Sequence, residues 1–262
     1  MNRTAAALAA LAAGLLAAFV IAPPALVGDF TDERDLTEMF RGAFVEYWGT
    51  GGRNLTPGLQ TLVDDWFRYH LVKAVTAALL LAVLVALGAV LWKTFQAATG
   101  RRRAAVASAG AAVTLLVLSA LAVVMANIQG MAAPFASLLP MLVDGDPADP
   151  ALAGTLDQVR QRLADAPSAP AAGVMVDAFG HYHAVMAVVA AVVAAGLLSV
   201  SVVSWRRFAR TPSPDRPQRR AVASFAVLML LAALAVTVVA VANTTVAADP
   251  VPALAALFDG SW

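Results

Sequence analysis

Hydrophobic residues in this chain fall into runs longer than a soluble domain uses. Crossing the hydrocarbon of a bilayer takes about 20 consecutive apolar residues. Five stretches reach that length, at roughly 4–27, 71–92, 104–126, 182–204 and 221–242. None carries a charge at its centre; Lys73, at the edge of the second, can extend its ammonium outward. Two other segments, 32–48 and 151–165, mix apolar and polar residues at helical spacing. In the first, Leu36, Met39, Phe40, Ala43, Phe44 and Tyr47 share a face, and Glu33, Glu38, Arg41 and Glu46 take the other. In the second, Leu152, Leu156, Val159 and Leu163 make the stripe. The pattern predicts an all-α integral membrane protein, a single membrane domain over 1–262 with five transmembrane helices and external amphipathic helices.

Local signals place the breaks. Pro23-Pro24 is expected to end the first helix. Thr31 or Asp32 is expected to cap the first amphipathic helix, which docks on the outer ends of the spans, lies among headgroups, or offers a face to a partner. Thr56-Pro57 opens a helix that continues into the span at 71–92. Gly100 with Arg101, Arg102 and Arg103 reads as a tight turn, and Arg210–Pro217 as a flexible linker. The run Asp144-Gly145-Asp146-Pro147-Ala148-Asp149-Pro150 lacks the bidentate Glu and spacing of an EF-hand and reads as a solvated turn. A short apolar helix is expected near Ala253–Phe258.

The chain also repeats itself. Asp64-Asp65-Trp66-Phe67-Arg68-Tyr69-His70 precedes one apolar run, and Asp177-Ala178-Phe179-Gly180-His181-Tyr182-His183 stands 113 residues later beside another. Fourteen of the 33 positions from 63 to 95 are identical at that offset, including Asp64, Tyr69, His70, Trp92 and Phe95. Ala105-Val106-Ala107-Ser108, Asn127 and Pro134 recur at an offset of 116, as Ala221-Val222-Ala223-Ser224, Asn243 and Pro250. The repeat pairs 63–140 with 176–256. Equivalent spans run in the same direction, so this is a parallel repeat of two hairpins after one leading span.

Composition supports the membrane reading and narrows the chemistry. The chain is 60% hydrophobic with a mean hydropathy of +0.75, and only 13% of its residues are charged. No cysteine is present, which removes disulfides, thiolate nucleophiles and cysteine-ligated metals. The net charge of +1 hides strong sorting. Arg3, Lys93, Arg101 to Arg103 and the arginines from 206 to 220 flank one end of the spans, with Asp215 alone among them. The other 16 acids lie in 29–70, 128–181 and 243–262. The positive-inside rule then puts the N-terminus in the cytoplasm and the C-terminus outside. The first span is expected to stay as an anchor, because the best cleavage site, Val20-Ile21-Ala22, runs into Pro23. An arginine-heavy, alanine-rich composition suits a bacterial cell membrane, the inner one.

All three histidines, His70, His181 and His183, fall at the outer mouths of two spans. Imidazoles with Asp64 and Asp177 could hold Zn²⁺, Cu²⁺ or haem. The competing readings are interfacial anchoring by Tyr69-His70 and Tyr182-His183, and a binding or pH-sensing role. Asn127 and Asn243 either cap helix ends, bond across helices, or join the Tyr-His pairs in the wall of an outward-facing pocket. No carboxylate, Lys or Arg lies deep in a span, which disfavours ion-coupled carriers and pumps. No nucleophile motif or phosphate loop appears, so no catalytic residue is assigned. Three functions are expected in order: a non-catalytic scaffold, accessory subunit or envelope factor; an outward-facing metal or haem site on His70 and His183; and a carrier for a neutral or lipophilic solute. The bilayer is the certain partner, a membrane or extracytoplasmic protein the further one. The basic residues serve as anchors, so no nucleic acid is expected. Without the metal or haem site there is no cofactor.

Overall fold

The computed structural model describes residues 3–26, 33–145, 149–211 and 215–261. The expected cap at Thr31 or Asp32, the centre of the Asp-Pro turn (146–148) and the middle of the basic linker (212–214) lie outside the described residues. Those described are helical with no strand: α1 (Arg3–Leu26), α2 (Glu33–Thr50), α3 (Pro57–Ala97), α4 (Gly100–Ala132), α5 (Pro134–Leu138), α6 (Pro140–Val143), α7 (Pro150–Asp165), α8 (Pro170–Arg210), α9 (Arg216–Ala248) and α10 (Pro250–Asp259). Five of them, α1, α3, α4, α8 and α9, are long and apolar enough to cross a membrane. Helices α3 and α8 each have 41 residues, and α4 and α9 each have 33.

Proline opens α3, α5, α6, α7, α8 and α10. Its fixed φ suits a first helical residue, whose N–H has no intrahelical partner in any case. Three boundaries differ from the expectation. Helix α1 carries Pro23 and Pro24 inside its last turn and runs on to Leu26, since proline's φ of about −65° is itself helical. Arg101 to Arg103 form the first turn of α4; the reversal is made by Ala98 and Thr99, with Gly100 at φ +55°. Asn127 and Asn243 are interior residues, more than a turn before the ends of α4 and α9.

The contacts divide into two compact units. The span unit comprises residues up to Val20, Lys73–Met125 and Ala187–Val241. Its internal contacts set small residues against larger ones: Ala5 of α1 meets Leu87 and Val113, and Ala233 of α9 meets Leu197 and Met229. Ser201 donates to the Ala226 carbonyl at 2.8 Å, binding α8 to α9. Large apolar side chains such as Leu79, Leu115, Val192 and Val238 stay exposed, as lipid contact requires. Thr94, Thr114, Ser199, Ser204 and Thr237 bond to carbonyls four residues back, which hides their hydroxyls within their own helices.

The second unit comprises Ile21–Val72, Ala126–Met186 and the chain from Ala242. It has a core of the kind found in water-soluble domains. Leu36, Phe40, Phe44 and Tyr47 from α2 meet Leu138, Leu139 and Leu142 around α5 and α6. Leu152, Leu156, Val159 and Leu163 from α7, and Leu254, Leu257 and Phe258 from α10, complete it. Leu59, Leu62 and Val63 of α3, and Met175 and Phe179 of α8, also enter this core. All four apolar residues expected on α7 are buried. On α2 the stripe is rotated: Met39 is exposed and Trp48 is buried, its indole N–H donating to Gln158. Arg41, expected on the polar face, donates instead to the carbonyls of Met141 and Asp144, closing the C-terminal turn of α6.

Tyr47 is fully buried against Phe44 and Phe135. Burial raises its phenol above the ordinary value near 10, opposed by the Arg53 guanidinium. In the unfolded chain the phenol ionises near 10; in the folded unit it ionises higher. Stability from this group is therefore complete below about pH 10 and is lost as pH rises through the folded value. Denaturation followed by circular dichroism between about pH 8 and 11 should show this fall, and Tyr47→Phe should flatten it. An identical pH dependence in the variant contradicts the assignment.

Candidate functional site

The candidate residues lie where α3 and α8 run toward their apolar stretches, and the second unit contains them all. On α3, Trp66, Tyr69 and His70 share a face, because residues three and four apart are neighbours on a helix. Tyr69 stacks on Trp66 at 5.0 Å between ring centres, and His70 meets Trp66 edge-on at 4.7 Å. The Trp66 indole N–H donates to Ser137 Oγ at 2.7 Å, and that hydroxyl donates to the Pro134 carbonyl at 2.9 Å. On α8, His183 packs against Phe179 at 4.6 Å and Tyr182 at 5.4 Å.

Each of these two histidines is joined to an asparagine on the neighbouring helix. His70 Nδ1 lies 3.0 Å from Asn127 Oδ1. His183 Nδ1 lies 2.7 Å from Asn243 Oδ1. An amide oxygen only accepts, so Nδ1 carries the proton and donates in both pairs. His183 and Asn127 are buried, at 7% and 6% exposure, which makes these bonds worth more than surface contacts. A third bond lies beside them: buried Gln129 on α4 donates from Nε2 to the Tyr182 carbonyl on α8 at 3.1 Å. Polar contacts thus link α3 to α4, α4 to α8, and α8 to α9.

Gly130 completes the seat of His70. A β-carbon at this position would stand 2.7 Å from Nε2 and from Cε1 of the imidazole, closer than real contacts allow. Gly130 follows Asn127 by three residues, so one face of α4 supplies both the acceptor for Nδ1 and the surface behind the other edge of the ring. On α8 the glycine near His183 stands elsewhere: a β-carbon on Gly180 would meet Pro250 Cγ at 3.4 Å.

The other candidates stand apart from these pairs. Asp64 is exposed and accepts from Gln60 at 2.8 Å. Asp177 is exposed and pairs with Arg53 at 3.2 Å. His181 is exposed, on a different side of α8 from His183. Among the described residues no group of three or more His, Asp or Glu side chains is placed to hold a metal ion. A metal on Nε2 of His70 would sit about 2 Å away, on the edge packed against Gly130.

Two cavities lie elsewhere. One, of about 260 Å³ in the second unit, is bordered by Leu156, Phe258 and Arg160, whose guanidinium is held by Asp157 at 2.7 Å and the Phe258 carbonyl at 2.9 Å. The other, of about 180 Å³ in the span unit, is lined by Leu118, Leu121, Ala122, Met125, Leu197, Ala232, Ala235 and Val236, all apolar.

Reading residues in chain order misses Gln129 and Gly130. A glycine inside an otherwise regular helix, where it costs up to about 1 kcal/mol, was the available signal for Gly130. Gln129 carried none. Comparison of the chain with protein-family models, curated proteins and solved structures gives no match.

Two outcomes follow for these contacts. A double-mutant cycle on His70→Ala and Asn127→Ala, read from thermal unfolding in detergent, should give a coupling of about 0.5–2 kcal/mol. His70→Ala and Asn243→Ala share no bond and should add. Gly130→Ala should destabilise by about 1–3 kcal/mol, because the ring has helix on one side and Trp66 on the other. Gly180→Ala should be milder, and the reverse order would contradict the close approach at Gly130.

Proposed function

We propose that this chain is a duplicated membrane hairpin protein of the bacterial cell membrane with a non-catalytic role, an anchored scaffold or accessory subunit whose acidic helical unit lies outside the cytoplasm. The observation that carries the reading is the paired His–Asn contact. In both histidines Nδ1 is bonded to the neighbouring helix, and among the described residues no group of three or more His, Asp or Glu side chains gathers with them. Their positions match at the same offsets as the rest of the repeat, 113 for the histidines and 116 for the asparagines.

Further matched contacts support the duplication. Arg103 lies over the Phe95 ring at 4.6 Å, and Arg219 over the Phe208 ring at 4.3 Å. Trp92 packs on Phe95, and Trp205 on Phe208. Each pair joins a helix end to the start of the next helix or to its own last turn, so the hairpins are closed in the same way. The charge sorting supports the orientation, with the acidic unit facing out.

The scaffold role is motivated by a folded helical unit carried in one chain with apolar helices whose central stretches hold no charge. Affinity purification from mild detergent, with mass spectrometry of co-eluting proteins, should recover a membrane or extracytoplasmic protein in stoichiometric amount. A chain that is monomeric, partner-free and turns over a small molecule would sink the proposal. So would bound metal or haem that is lost in His70→Ala/His183→Ala.

A further inference from the structure

We propose that the arginine-rich helix ends of the span unit form a binding surface for anionic phospholipid headgroups. This goes beyond the scaffold role and does not depend on it. Asp215 is the one carboxylate in Lys73–Met125 and Ala187–Val241. It is already engaged, pairing with Arg103 at 3.0 Å and accepting from the Gln218 amide at 3.2 Å. Arg103 also covers Phe95. Arg219 donates to the Thr211 carbonyl at 2.7 Å and covers Phe208. Those two arginines and the single acid close the turns.

Other arginines of this unit face outward. Arg101, Arg102, Arg206, Arg207, Arg216 and Arg220 are exposed, and no carboxylate remains in this unit to neutralise them. Arg101 and Arg102 stand in the first turn of α4, and Arg216 and Arg220 in the first turns of α9. A helix N-terminus carries partial positive charge, and cations there are disfavoured unless an anion is near. Helix α4 has no acidic residue in its first turn. Trp92 and Trp205 lie at the same ends of α3 and α8, the residues that settle at headgroup depth in a bilayer. A guanidinium takes a phosphate through two parallel N–H bonds. Apolar helices place that phosphate in a lipid, and a net negative headgroup is the one the patch attracts.

The test uses the purified full chain in detergent micelles doped equally with phosphatidylcholine and phosphatidylglycerol, counting retained lipids by native mass spectrometry. Phosphatidylglycerol should be retained about tenfold over phosphatidylcholine. Arg101→Gln/Arg102→Gln/Arg206→Gln/Arg207→Gln should bring the ratio to about one. If that variant fails to fold, Arg206→Gln/Arg207→Gln, whose side chains make no ion pair among the described residues, should lower the ratio about threefold. Equal retention of both lipids by the parent chain overturns the proposal, as does an unchanged ratio in the folded variants. Displacement of phosphatidylglycerol by inorganic phosphate at matched concentration would overturn the lipid as the ligand.

Discussion

The directed hydrogen bonds between helices, above all the two His–Asn pairs, are what the packing of the long helices depends on. A Ser or Thr hydroxyl can bond the carbonyl four residues back in its own helix, whereas these two imidazoles take an amide oxygen from the neighbouring helix. Joining His70 to Asn127, and His183 to Asn243, fixes how each long helix is rotated about its axis and how far it slides past its neighbour. Van der Waals contact between alanine- and valine-rich faces is nearly degenerate against such sliding. A single directed bond per helix pair removes that degeneracy. Gly130 then lets the first pair approach closely, and Gln129 extends the same logic from α4 to α8.

The amphipathic segments obey a different demand. Their apolar stripes cover one another. Helices α2, α6, α7 and α10 bring Phe40, Leu142, Leu156 and Leu254 into one core. Burial of this kind contributes roughly 25 cal/mol per Å² of apolar surface. Aromatic contacts within α2, such as Phe44 on Trp48 at 6.0 Å, add to it. A headgroup-bound helix would leave its stripe facing lipid; α2 instead has Phe40 and Phe44 at 0% exposure.

Charge is used sparingly. Exposed pairs such as Arg34–Glu38 and Arg53–Asp177 contribute little, since water screens both partners. Arg103–Asp215 is better shielded and ties the first turn of α4 to the start of α9. Arg219 closes the turn beside it through the Thr211 carbonyl and the Phe208 ring, while Arg101, Arg102, Arg206 and Arg207 make no ion pair among the described residues.

Hydropathy and periodicity determined the helical class, the five long apolar helices and the buried stripe of α7, because each depends on residues close in sequence. The offset between Tyr69-His70 and Tyr182-His183 was also visible, since repetition needs only comparison along the chain. Which residues His70 and His183 would meet was not. Asn127 is 57 residues from His70, and Asn243 is 60 from His183. No local preference encodes such a pairing; it depends on helix rotation, which many small contacts set together. The assembly of separate amphipathic segments into one core, the withdrawal of Arg41 and Arg103 into hydrogen bonds, and the seat that Gly130 makes for His70 were decided in the same way. Each is a contact between distant residues, and only tertiary packing brings them within reach.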